Sequence, residues 1–197
     1  MKADQRKKQI LDAALKAFAE YGYERTSIAI VCDKAGIARP TLYQYFKDKR
    51  SLFRELMESY LYEIHGKIHA RQQAKDQNKE LSRQEAKLSL HRELLEEFSD
   101  NRDFFIIFFK EAKARNSETE DIVKGILQGM MQEFVSEMKL NPGAGVMREE
   151  DMEFTVMYMI GGMMQIVEYY LFDDEHALSI QELAEKITHI ESKIKAL

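Results

Sequence analysis

The stretch Ser27-Ile28-Ala29-Ile30-Val31-Cys32-Asp33-Lys34-Ala35-Gly36-Ile37-Ala38-Arg39-Pro40-Thr41-Leu42-Tyr43-Gln44-Tyr45-Phe46 decides the fold. Two helices that cross at a tight turn need a small side chain at the crossing, a residue tolerant of positive φ at the turn, and apolar anchors on the second helix. Cys32, Gly36, Ile37, Leu42 and Tyr45 supply these at fitting offsets. The pattern predicts a helix-turn-helix, whose second helix, about Arg39 to Phe46, lies in the major groove of duplex DNA. Pro40 falls in the first turn of that helix, where a missing N–H costs nothing. Ahead of it, Thr26 or Ser27 caps a short helix reaching about Lys34.

Upstream, Ile10, Leu11, Ala14, Leu15, Phe18 and Tyr21 recur at helical spacing, and Gly22 suits a left-handed cap beyond which Tyr23 packs back on Phe18. Downstream, Asp48 is the expected cap of a long helix with the stripe Phe53, Leu56, Met57, Tyr60, Leu61, Ile64 and Ile68. Further helices are predicted over Leu81 to Phe98, Phe104 to Arg115, a Ser117/Glu120 capping box to Leu140, Glu149 to Phe172, and from a Ser179/Glu182 box onward. Asn141-Pro142-Gly143-Ala144-Gly145 is the clearest loop. Only two prolines interrupt 197 residues. The class is therefore all-α, with about nine helices: a three-helix helix-turn-helix domain over 1–48 and a helical body over 49–197.

The net charge of −5 conceals an asymmetry. Residues 1–55 hold twelve Lys or Arg against seven Asp or Glu, a net +5, which leaves −10 on the remaining 142. A basic end on an acidic body fits one surface for a polyanion and another that repels it. No apolar run approaches the roughly 20 residues of a membrane span. Cys32, the single cysteine, excludes an internal disulfide, and the polar N-terminus lacks the apolar stretch of a signal peptide, so a reducing, cytoplasmic setting is expected. Gly-rich phosphate loops, nucleophile motifs and HExxH are absent, and His65 with His69 lacks a third ligand. Neither an enzyme nor a cofactor or metal site is expected.

Gly22, Thr26, Ala35-Gly36-Ile37, Thr41-Leu42-Tyr43, Tyr45-Phe46, Lys49 and Leu52 lie within residues 6–56. That segment resembles the N-terminal DNA-binding domain of the tetracycline-repressor (TetR) family. Two departures stand out: Val31-Cys32 replaces the usual Ile-Ala, and Ala38 with Pro40 replaces a Ser cap and a Gly at the start of the recognition helix. An alanine cap costs about 0.5–2 kcal/mol relative to Ser, offset in part by the preset φ of Pro40.

The resemblance implies base-reading roles for Arg39, Pro40, Thr41 and Gln44. Arg suits guanine O6 and N7, Gln suits adenine N6 and N7, and the Thr41 methyl or Pro40 ring suits a thymine methyl. A phosphate contact is the competing role for Arg39. Thr26, Ser27, Tyr43 and Lys49 are expected on phosphates, where they set register. One recognition helix covers few base pairs, so a homodimer on a palindromic operator of double-stranded DNA is implied.

In the family the last two helices form the dimer interface, which points here to Gly161, Ile187, Ile190 and Ile194; packing of this stripe on its own domain is the alternative. The family also implies a small-molecule effector in the body. Nine of the eleven methionines lie in 130–164. With Phe105, Phe108, Phe109, Met130, Phe134, Tyr158, Met163 and Tyr169 on neighbouring helices, an apolar or aromatic effector is the expected class. A plain Met-rich core accounts for the same residues. The function expected is a regulator, a repressor in the family's commoner mode. A helical adaptor binding only protein would explain the acidic body, but not the basic, motif-bearing N-terminus.

Overall fold

A computed structural model of the chain describes residues 3–76, 82–114, 118–140 and 148–194. Among these residues all regular structure is helical: α1 (Ala3–Arg25), α2 (Ile28–Ala35), α3 (Arg39–Tyr43), α4 (Lys49–Asp76), α5 (Arg83–Asp100), α6 (Arg102–Lys113), α7 (Glu120–Leu140), α8 (Glu149–Tyr170) and α9 (Ile180–Ile194). No helix among them is long and apolar enough to cross a membrane. The chain divides into two compact units, Met1–Glu58 with Ile107–Gln165, and Ser59–Ile106 with Ile166–Leu197. The helix-turn-helix thus groups with the first turns of α4. Leu52, Phe53, Leu56 and Met57 of α4 are fully buried, which explains the grouping.

In the first unit the rings of Phe18, Tyr23 and Phe53 form a triangle, with centroids 5.6, 5.5 and 5.0 Å apart. Stacked and edge-on pairs at such distances add specific geometry to the burial of apolar area. Tyr23 reaches this position because Gly22 breaks the helix at φ 78°, ψ 164°. The conformation is not the left-handed cap expected there: ψ lies far outside the αL range, and the chain resumes a helical turn to Arg25. Gly36 does adopt αL (φ 62°, ψ 38°), and its N–H closes α2 on the Asp33 and Cys32 carbonyls. Asp48 accepts from the Ser51 N–H at 2.7 Å, and the Asp48 N–H donates to the Ser51 hydroxyl at 3.0 Å, so the expected cap of α4 is reciprocal. Val135, Met152 and Val156 pack α7 on α8, flanked by Met131, Met138 and Ile160. The expected cap Ser117 lies outside the described residues.

In the second unit α9 lays Leu183, Ala184, Ile187 and Thr188 inward. His91 of α5 spans to it, meeting Thr188 Oγ1 through Nδ1 (2.8 Å) and Glu191 through Nε2 (3.2 Å). Lys87 also donates to Glu191, at 3.3 Å. A complete Ser82/Glu85 capping box opens α5, in addition to those expected, and the expected Ser179/Glu182 box opens α9.

Asn tolerates αL, whereas φ near 78° with extended ψ is essentially restricted to Gly. Chemical denaturation should therefore show Gly22→Asn costing about 1–3 kcal/mol and Gly36→Asn less than about 1 kcal/mol; equal losses would refute the distinction. Glu191 is held down to about 2, first by the hydrogen bond from His91, with burial opposing. A depressed carboxylate stabilises above its ordinary value near 4.5, and the contribution is lost as pH falls from there. Between about pH 5 and 3, stability should fall more steeply in the wild type than in Glu191→Gln. Parallel curves would show that the ion pair contributes nothing.

Candidate nucleic-acid interface

The outward face of α3 is set by what the helix buries. Leu42 is fully buried, and Phe46, in the turn just past the end of α3, is 3 % exposed, so the side they share is the underside of the segment. Arg39, Pro40 and Gln44 are consequently exposed, Tyr43 is 53 % exposed, and Thr41 is half-buried at the edge. Ala38 precedes the helix in an extended conformation and makes no side-chain cap, as its methyl group requires. The four side chains expected to read bases therefore lie in one segment, and Arg39, Pro40 and Gln44 are open to solvent.

The expected phosphate contacts divide by environment. Ser27 is exposed and caps α2, its hydroxyl oxygen accepting from the Ile30 N–H at 3.3 Å while its own proton stays available to an external acceptor. Thr26 differs: it is 2 % exposed and its hydroxyl is bonded to the Gly22 and Ala17 carbonyls (2.7 and 3.1 Å), so it faces inward and ties the turn together, away from the surface a phosphate contact needs. The Lys49 ammonium donates to the carbonyls of Tyr23 (3.0 Å) and Glu24 (3.4 Å) and sits 4.1 Å from the Tyr23 ring centroid. Two of its three N–H donors are thereby engaged and the third is left to point elsewhere.

Not legible in the sequence are the contacts that receive this segment. Arg50 donates through Nε to the Glu118 carbonyl (3.0 Å) and through Nη2 to Asp121 (2.5 Å). The Tyr23 hydroxyl donates to Glu118 Oε2 at 3.0 Å. Burial, with that carboxylate second, holds the Tyr23 phenol far above the usual range. Partners 71 and 95 positions apart leave no local signal. Burial likewise raises the Cys32 thiol, consistent with a small residue at the helix crossing.

The body residues expected to line a pocket or a dimer interface separate by unit. In the first, Phe108 and Phe109 are 2 % exposed, Met130 and Met163 are half-buried, and Phe134 and Tyr158 lie largely in solvent at 44 and 68 %. In the second, Phe105 is buried and Tyr169 is exposed. Of the expected dimer residues, Gly161 and Ile190 are exposed, while Ile187 is 7 % exposed within its own unit, the alternative placement of that stripe. The side chain of Ile194 lies outside the described residues.

Because Thr26 is a closing contact, Thr26→Val keeps its volume and removes a donor from two carbonyls. It should cost about 1–2 kcal/mol in urea denaturation and leave the salt slope of DNA binding unchanged. A changed slope with full stability would return Thr26 to the phosphate surface.

Residues 10–56 match the family model "Bacterial regulatory proteins, tetR family". The chain is 29 % identical over 157 residues to the fatty acid metabolism regulator protein of Bacillus subtilis, covering 74 % of this chain and 76 % of that one. It is 43 % identical over 51 residues to the HTH-type transcriptional repressor ComR of Escherichia coli, covering 26 % of this chain and 24 % of that protein. In fold it is similar to the crystal structure of the regulator FadR of Bacillus subtilis in complex with stearoyl-CoA, with a TM-score of 0.70 at 20 % identity over 92 % of this chain and 95 % of that one. The match with the tetR family of bacterial regulatory proteins thus falls on the helix-turn-helix, and over the rest of the chain the likeness is one of all-helical fold.

Proposed function

We propose that this regulator binds a palindromic operator as a homodimer, represses from it, and is released by an effector carrying a fatty acyl chain. The observation that carries the reading is the α3 face, where Arg39, Pro40, Tyr43 and Gln44 are exposed over a buried Leu42 and Phe46. Arg39, Pro40, Thr41 and Gln44 are assigned to bases, and Ser27, Tyr43 and Lys49 to phosphates.

The body supports the other two parts. Phe108, Phe109, Met130 and Met163 offer the soft apolar surroundings an acyl chain needs. The names of the similar fatty acid regulators favour that class over a purely aromatic ligand. For the dimer, α8 presents Phe154, Met157 and Tyr158 outward at 73, 62 and 68 % exposure. A Cβ added at Gly161 or Gly162 beside them would meet nothing within 4 Å beyond the adjoining turns of their own helix, so this face suits a second helix. Effector binding then favours a dimer whose recognition helices no longer match successive major grooves.

Selection on randomised duplexes, with sequencing of the winners, tests the reading. A palindrome should be enriched, and its affinity should fall steeply with salt. Arg39→Ala should cost about 1–3 kcal/mol on that palindrome and relax one base pair, whereas Lys49→Ala should weaken all duplexes alike. Absence of enrichment at low salt would favour the helical adaptor binding only protein, and equal losses of Arg39→Ala on operator and random duplex would remove its base-reading role.

A further inference from the structure

We propose that Arg50 is a positioning residue for DNA binding: it holds the helix-turn-helix in its binding pose through the start of α7, without touching the phosphate backbone. The inference rests on the DNA-binding reading. Arg50 follows Lys49 in the first turn of α4, within the basic N-terminal segment, so charge alone would assign it to a phosphate.

The geometry assigns it elsewhere. Its planar fork is matched by two acceptors, the Glu118 carbonyl oxygen and the Asp121 carboxylate, an arrangement suited to the fixed donor directions of a guanidinium. Arg54 lies 3.8 Å from the same carboxylate, so two successive turns of α4 face one residue of α7. The Tyr23 hydroxyl adds a third tie, from the end of α1 to Glu118. The receiving segment is itself anchored: fully buried Thr119 donates to Glu111 Oε2 at 2.6 Å, and Glu111 is 6 % exposed. Helix electrostatics explain Asp121, an acid in the first turn of α7, but not Arg50, a cation at the positive end of α4. Its partner on α7 accounts for its place.

The two roles for Arg50 predict opposite signs for a change at Asp121, which is not itself expected to touch DNA. A phosphate-binding Arg50 would be released by Asp121→Asn, and operator affinity would rise. A positioning Arg50 would lose its anchor, and affinity would fall by about threefold to thirtyfold, the weight of an exposed pair present twice in a dimer.

The experiment uses the full-length protein and a fluorescein-labelled duplex enriched in the selection, with anisotropy titrations over a series of salt concentrations and thermal unfolding as a check that each variant is folded. Expected are weaker operator binding by Asp121→Asn, an unchanged salt slope for Arg50→Ala, and partial recovery in Arg50→Asp/Asp121→Arg relative to Arg50→Asp. A salt slope shallower in Arg50→Ala by about 0.9, the value of one neutralised phosphate, would overturn the proposal. Unchanged or tighter binding by Asp121→Asn, or a swap no better than Arg50→Asp alone, would do the same. A folded wild type that binds no duplex in a salt-sensitive way would overturn the DNA-binding reading and this proposal with it, an outcome distinct from the others because it precedes any substitution.

Discussion

The side chain of Tyr23 joins the elements on which the recognition surface depends. Its ring completes the triangle with Phe18 and Phe53, its face carries the Lys49 ammonium, and its hydroxyl meets Glu118. All three contacts require the chain to turn sharply at residue 22, in a conformation that only glycine adopts without strain. Thr26 then closes the turn from within, using its hydroxyl on the Gly22 and Ala17 carbonyls. A small core that must orient a helix of five residues cannot rely on the stability of that helix itself. It relies on packing beneath, through Leu42 and Phe46, and on the turn beside it.

The basic residues of the first 55 positions do different jobs despite their shared charge. Lys34 pairs with Glu20 and Lys7 with Glu55, each at 2.7 Å, and such half-exposed pairs contribute little to stability. Lys49 closes the end of α1 on two carbonyls, and Arg50 faces α7. Arg39, by contrast, stands outward on α3. A net positive charge attracts a polyanion over distances of a Debye length, but the cation that reaches it is decided by these local engagements.

Apolar exposure in the body follows a similar division. α9 has an inward stripe, and among its described side chains those left exposed to solvent are polar apart from Ile190. α8 is different, because Phe154, Met157 and Tyr158 remain outward on the first unit beside two unhindered glycines. Large exposed aromatic and Met side chains grouped on one helix are the surface expected of a helix that packs against another protein.

Helix number, order and approximate bounds were legible in the sequence, because apolar residues at 3.6 spacing and capping residues such as Asp48, Ser179 and Gly36 act through neighbours within four positions. Which side of α3 faces outward was legible for the same reason, since apolar Leu42 and Phe46 are the side chains the segment buries. The inward placement of Thr26 and Ile187 was not legible, because a stripe or a motif position says that a side chain is important without saying which neighbour it meets. The Arg50 fork on Glu118 and Asp121 and the His91 bridge to α9 belong wholly to tertiary structure, for they join residues 68 to 100 positions apart that come together only when distant helices pack.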